Sequence, residues 1–364
     1  MRKIRVLVVD DSVVIRRMVT DIVASDARME VVGTASNGSI GLQKIPQVNP
    51  DVITLDVEMP VLDGLATLVE IRKTWPKLPV IMFSTLTERG ATTTLDALTR
   101  GASDYVTKPA NVGSVALAQQ RVRDELLPKI LALCGAEPPA PRIAMAAAPR
   151  VATATPKAVQ GVDVLVLGVS TGGPSALAHL LPLLPGDLPV PVLIVQHMPP
   201  MFTRLLAERL DQTCQIRVRE GIPGGAVEPG VAWIAPGDHH MVLRRVGCSV
   251  SLSLHQGPPE NSCRPAVDPL FRSAVELYHE RVLGVVLTGM GHDGLRGAEE
   301  IVQAGGQVLA QDEASSVVWG MPGYVANAGL ADAVLPLDDL AREIIRRVGA
   351  GRVSAVPRPT VISG

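Results

Sequence analysis

A chain of 364 residues with 47% hydrophobic content can bury two cores of ordinary domain size. A formal net charge of -2 supplies no basic field for a polyanion, and 2% aromatics leave little for base stacking, so no nucleic-acid partner is expected. No uninterrupted apolar run approaches a membrane span, and Asp10-Asp11 cut short the apolar start of MRKIRVLVVDDS, so a cytoplasmic protein without direct membrane insertion is expected. Cys134, Cys214, Cys248 and Cys263 lack C-x-x-C spacing and read as free thiols.

Residues 4–9 read as a short apolar strand ending in Asp10-Asp11, and residues 52–55 as another ending in Asp56. Parallel strands deliver the residues at their carboxyl ends to one shared crevice. Three carboxylates there repel one another unless a cation sits among them, and oxygen-only donors suit Mg²⁺, which also gathers phosphoryl oxygens. A strand over 80–83 ends at Ser84, and the strand before Pro109 would present Lys108 to the same crevice. An Asp pair after a strand can also do no more than cap the next helix. Acids, a hydroxyl and an amine after successive strands favour a phosphate acceptor.

VLVVDDS, ITLDVEMPVLDGL, VIMFST and DYVTKP together resemble the two-component receiver family over roughly the first third of the chain. The resemblance implies a doubly wound, five-stranded parallel sheet with Asp56 as phosphoacceptor. It further implies that Asp10, Asp11, Asp56 and the Glu58 backbone carbonyl hold Mg²⁺, that Ser84 and Lys108 bind the phosphoryl group, and that Tyr105 is the switch aromatic. Phosphorylation adds nearly two negative charges at Asp56, which Ser84 and Lys108 can follow.

The expected boundaries are a receiver over 1–124, a join over 125–160, a second domain over 161–349 and a tail over 350–364. Residues 121–133 have helical spacing and lead into 134–160, which is rich in Pro and Ala, cannot build a core and reads as a tether. The tail is expected to be disordered.

The stretch 164–174, VLVLGVSTGGP, is an apolar run broken sharply by glycines and a proline, the pattern of a buried strand turning into a helix. Its Gly168-Val169-Ser170-Thr171-Gly172 matches G-x-S-x-G, in which a tight turn exposes a nucleophilic hydroxyl. Glycine-rich turns after strands also cradle phosphates. Strands expected over 191–196 and 282–287 lead into His197 and into Thr288-Gly289-Met290-Gly291-His292-Asp293-Gly294. Serine, histidine and aspartate thus each lie just past the end of an expected strand. A serine hydroxyl is a poor nucleophile until a neutral imidazole takes its proton, and that imidazole needs a carboxylate to orient it. The Met290 N–H, between two glycines, is placed to hold an oxyanion. The chain order Ser, His, Asp differs from that of α/β-hydrolases. His292 competes with His197 as base, Asp293-Gly294 can be only a turn, and His239-His240 lack the spaced partners of a metal set. No cofactor is expected at this second site.

GVSTGGPSAL, VQHMPP, WIAPGDHHM, NSCRPAVDPLF and LTGMGHDGLRG resemble the catalytic domain of chemotaxis protein-glutamate methylesterases, and with the receiver the likeness covers nearly the whole chain. It implies Ser170 as nucleophile, His197 as general base and acid, Asp293 as orienting carboxylate, Met290 in the oxyanion hole and Thr171 as a site threonine. Cys263 stands where some members have histidine. The second domain is expected to be a larger, mainly parallel, doubly wound α/β unit, with a further strand over Gln307–Gln311 and a loop and closing helix at the rim. The expected activity is phosphorylation-activated hydrolysis of glutamate methyl esters on chemoreceptor helices, with glutamine deamidation, driven by a chemotaxis histidine kinase. The receiver is expected to cover the site at rest. A nucleotide-binding oxidoreductase would use the 168–173 turn for pyrophosphate but leaves His197 and Asp293 without a purpose, and a silent scaffold would leave Ser170 unreactive.

Overall fold

The computed structural model describes residues 2–109, 114–135 and 161–350. The tether and tail expected beyond 135 and 350 lie outside the described residues.

The first unit alternates strand and helix: β1 (Ile4–Val9), α1 (Val13–Ala24), β2 (Met29–Ala35), α2 (Gly38–Val48), β3 (Val52–Asp56), α3 (Gly64–Thr74), β4 (Val80–Ser84), α4 (Glu88–Thr99), β5 (Asp104–Thr107) and α5 (Val115–Leu133). The sheet order is β2-β1-β3-β4-β5 with every pair parallel. Central β3 and β4 are buried along their whole length, as strands covered by helices on both faces must be. Ser12, Asn37, Asp63 and Thr87 cap the helices that follow, each accepting a backbone N–H of the first turn. Helix α5 is one element across the boundary expected at 124/125, and it packs on α1 and β5.

The second unit contains β6 (Val164–Val169), α6 (Gly173–Leu180), β7 (Val192–Gln196), α7 (Pro200–Asp211), β8 (Arg217–Glu220), β9 (Val231–Ile234), β10 (His240–Val246), β11 (Ser249–His255), α8 (Val267–Tyr278), β12 (Val282–Val286), α9 (Leu295–Gln303), β13 (Gln307–Gln311), α10 (Met321–Asn327), β14 (Ala333–Leu335) and α11 (Leu337–Gly349). Seven parallel strands run in the order β14-β13-β12-β6-β7-β9-β8, and β10 and β11 form a separate antiparallel hairpin. The strand that ends at Ser170 therefore lies between the two that lead to His197 and Asp293. That neighbourhood brings the three segments to one edge.

Two glycines make the close approaches possible. A Cβ at Gly168 would lie 2.5 Å from Val267 Cγ1, so its absence lets the start of α8 reach the central strand. A Cβ at Gly289 would meet Ser170 Cβ at 2.8 Å, so the β12 loop rests against the serine turn.

The two units meet through α4 and β5 on one side and α6 and α7 on the other. Tyr105 stacks on Phe202 with ring centroids 4.6 Å apart and an interplanar angle of 13°. Around that contact Arg209 pairs with Asp96 and donates to Thr99 Oγ1 at 2.9 Å, Arg204 reaches Glu88 at 2.9 Å, and Ser175 Oγ donates to the Leu98 carbonyl at 2.6 Å.

Candidate active site

Ser170 stands at the end of β6, where Gly172 at φ +78° turns the chain into α6. A cavity of about 340 Å³ lies over it, lined on one side by Ser170, Thr171, His197, Cys263 and Met290 and on the other by Leu98, Asp104, Tyr105, Glu125 and Lys129 of the first unit. The first unit thus forms a wall of this cavity.

His197 Nε2 lies 2.8 Å from Asp293 Oδ2. Asp293 is itself 2% exposed and is held by the Val267 N–H at 2.6 Å, the Asp268 N–H at 3.2 Å, the Gly294 N–H at 3.0 Å and Asn261 Nδ2 at 2.8 Å. Burial alone would raise this carboxyl, but the His197 ring and these donors outweigh it and hold it below the usual carboxylate range. Carboxylates at the start of a helix such as α8 are further favoured by its dipole.

With Nε2 taken by Asp293, Nδ1 is the ring nitrogen that bears no carboxylate. Cys263 Sγ lies 3.6 Å from it. Among the described residues no hydrogen bond joins Ser170 Oγ to the ring. Burial pulls the imidazole down, and the sulfur together with the Asp293 carboxylate outweighs that pull, so the ring is held above its ordinary value.

His292 is exposed and its ring leans on Tyr324, with centroids 5.7 Å apart. His240 is buried, accepts the Ala266 N–H at 3.2 Å through Nδ1 and lies 3.0 Å from the Pro258 carbonyl through Nε2, while His239 Nδ1 lies 3.2 Å from the Gly237 carbonyl. Both histidines of this pair therefore brace loops. The backbone N–H of Met290 makes no hydrogen bond among the described residues.

Thr171 faces the first unit, donating to Asp104 Oδ2 at 2.7 Å. Asp104 also accepts the Tyr105 N–H at 2.7 Å and faces Lys129 at 3.2 Å.

Three site-forming residues escape a reading of spacing. Asn261 Nδ2 bridges Asp293 and Asp268, each at 2.8 Å, because Asn261 and Ser262 both adopt left-handed backbone at φ +50° and +63°. Gln196 Nε2 donates to the Ser170 carbonyl at 3.0 Å and the His197 carbonyl at 3.3 Å. Asp104 acts across the interface. For Asn261 the available signal is its place in NSCRPAVDPLF, and for Gln196 its place before the histidine; Asp104 has no local signal.

In the first unit Asp10, Asp11 and Asp56 offer carboxylate oxygens within 4.8 Å of one another at the ends of β1 and β3. Hard oxygen donors without histidine or cysteine form a typical Mg²⁺ site. Lys108 Nζ pairs with Asp10 at 2.9 Å and Asp56 at 2.7 Å. Burial pushes the Asp56 carboxyl up to about 6 despite the Lys108 hydrogen bond, with Asp10 adding to the rise. Ser84 is buried and donates to the Gly90 carbonyl at 3.1 Å, and Tyr105 lies inward against Phe202.

The CheB methylesterase family profile matches residues 165–344, and that of the response regulator receiver domain matches 6–118. The chain is 55% identical over 352 residues to a protein-glutamate methylesterase/protein-glutamine glutaminase of Trichodesmium erythraeum, covering 96% of this chain and all of that one. The chain belongs to the CheB methylesterase family. A relative from Nocardioides sp. with the same description is 54% identical over 360 residues, covering 97% of this chain and 98% of its own. The crystal structure of the Thermotoga maritima CheB methylesterase catalytic domain superposes with a TM-score of 0.50 at 42% identity, covering 51% of this chain and 99% of that one. Family membership and the receiver sheet before the catalytic sheet agree with the resemblance carried by the motifs.

Proposed function

We infer that this receiver-bearing protein-glutamate methylesterase/protein-glutamine glutaminase hydrolyses glutamyl side chains through Ser170, His197 and Asp293. The observation that carries the reading is the 2.8 Å His197–Asp293 contact in one cavity with Ser170. Asp293 orients the ring, Nδ1 takes the serine proton, and Ser170 Oγ attacks the glutamyl carbonyl. The free Met290 N–H meets the oxyanion, and Thr171, once released from Asp104, faces the incoming substrate. The imidazolium gives its proton to the leaving atom as its bond to the acyl carbon breaks, releasing methanol from an ester or ammonia from a glutamine amide. Water then cleaves the acyl-serine by the same base, leaving glutamate.

The regulatory half follows from where the first unit sits. We read Asp56 as phosphoacceptor, with Asp10, Asp11, Asp56 and the Glu58 carbonyl as the residues that would hold Mg²⁺. The ion, when bound, offsets charge on the phosphoryl oxygens. A phosphoryl group on Asp56 draws on Lys108 and on the Ser84 hydroxyl. The Lys108 N–H donates to the Ser84 carbonyl at 2.6 Å, and Ser84 Oγ binds the Gly90 carbonyl of α4. Both connections run toward Tyr105 and α4, the elements seated on the catalytic unit. Loss of that seat exposes the cavity to a receptor helix.

The phosphodonor is a chemotaxis histidine kinase and the substrate is a methylated chemoreceptor, which places the reaction in the cytoplasm. No described helix is long and apolar enough to cross a membrane. Methanol release from methylated receptor membranes, with and without a small phosphodonor, tests the reading. Ser170→Ala should abolish release while Asp56 still accepts phosphate; continued release by this variant would remove Ser170 from the reaction.

A further inference from the structure

The catalytic imidazole has two claimants. Nδ1, the nitrogen free to serve Ser170, faces the Cys263 sulfur at 3.6 Å, and Asp293 backs the same ring at 2.8 Å. Cysteine, histidine and aspartate thus stand in series, so the thiol faces a base at Nδ1 to which its proton can pass. The other cysteines differ. Burial pushes the Cys134 and Cys214 thiols up to about 12 and about 11, and Cys248 is exposed with no imidazole bonded to it.

Asp104, Glu125 and Lys129 line the cavity from the receiver side, and Asp238 and Arg264 join Cys263 and Lys129 in an adjoining cavity of about 490 Å³ that offers a small molecule a second approach.

We propose that Cys263 is an oxidation site for small hydroperoxides, at which conversion to sulfenic acid arrests the esterase by occupying the base that Ser170 needs. The thiol proton passes to Nδ1 as the sulfur attacks one peroxide oxygen. An S–O bond forms, the O–O bond breaks, and the leaving hydroxide takes the imidazolium proton to become water. Sulfur gives up two electrons and the peroxide receives them. The added oxygen lies between Cys263 and Nδ1, and a thiol reductant removes it. The arrest rests on the reading of His197 as the base of the reaction; the oxidation itself does not.

The test uses the full chain, dilute hydrogen peroxide and dimedone, with adducts read on each cysteine peptide by mass spectrometry. Cys263 should be trapped roughly tenfold faster than Cys248, and His197→Gln should remove that lead. Without dimedone, methanol release should fall in step with Cys263 oxidation and return with dithiothreitol. Cys263→Ser, whatever its own rate, should lose nothing on peroxide treatment. Trapping of Cys263 no faster than Cys248, a lead that survives His197→Gln, or unchanged methanol release with Cys263 oxidised would each overturn the proposal. An untreated chain that releases no methanol would count against the esterase reading, and the comparison of cysteine peptides would still decide the oxidation site.

Discussion

Replacing Asp104 by alanine should raise the methanol release of the unphosphorylated chain. Asp104 makes one direct bond across the interface, accepting the Thr171 hydroxyl at 2.7 Å, and both residues are buried. A hydrogen bond to a charged group contributes about 1.5–3 kcal/mol, part of which is regained from water when the interface opens. A net loss of about 1–2 kcal/mol from the closed state multiplies the open population roughly 5- to 30-fold. The ceiling is the rate of a catalytic unit beginning at Gly161, which has no receiver to displace. Asp104→Asn keeps an oxygen acceptor without the charge and should give a smaller rise of about 2- to 5-fold. Lys129 retains Glu125 at 3.3 Å in either variant, so the receiver should still fold and accept phosphate from a small donor. Steady-state methanol release from receptor membranes reads the effect, with thermal unfolding as the control on folding. A basal rate unchanged in Asp104→Ala, with native melting behaviour, would refute the idea that this carboxylate holds the site shut.

Arg209→Ala removes a half-exposed pair with Asp96 and the bond to Thr99, so basal release should rise only about twofold, and the difference should shrink in high salt; a rise as large as that of Asp104→Ala would contradict this ranking. Asn261→Ala frees Asp293 from its side-chain tether and should lower kcat by up to about 100-fold with little change in KM, measured on the phosphorylated chain; an effect confined to KM would argue for substrate contact instead. For Asp56, burial lifts the folded pKa from the ordinary 3.8 to about 6, so its favourable contribution is complete below about 4 and is lost as pH rises through 6. In the absence of Mg²⁺ the receiver's melting temperature should therefore fall across this window in the native chain relative to Asp56→Asn, and parallel curves from calorimetry would rule the cause out.

Much of this arrangement is legible because central strands of parallel sheets announce themselves. Residues 164–169 are apolar throughout and wholly buried, and the polar residues after β6, β7 and β12 must share an edge once those strands are neighbours. Edge elements carry weaker signals. β14 has three residues, and the loop and closing helix expected in its region are resolved as α10, this strand and α11. The β10–β11 hairpin alternates polar and apolar residues only loosely, so its turn at Gly247, φ +59°, is the better sign. Asn261 is hidden for a different reason. Its reach to Asp293 depends on two successive left-handed residues, which no apolar period encodes.

The contact between Thr171 and Asp104 has the same opacity, since it joins residues 67 apart through no shared element. Asp104 sets its carboxylate on the hydroxyl next to Ser170 from β5, where its neighbour Tyr105 stacks on Phe202. A shift of β5 moves both the carboxylate and the ring, so the two contacts should fail together. In a double-mutant cycle, Asp104→Ala combined with Tyr105→Leu should therefore raise basal release by less than the product of the single effects, and full multiplicativity would mean that the receiver leaves the site piecewise.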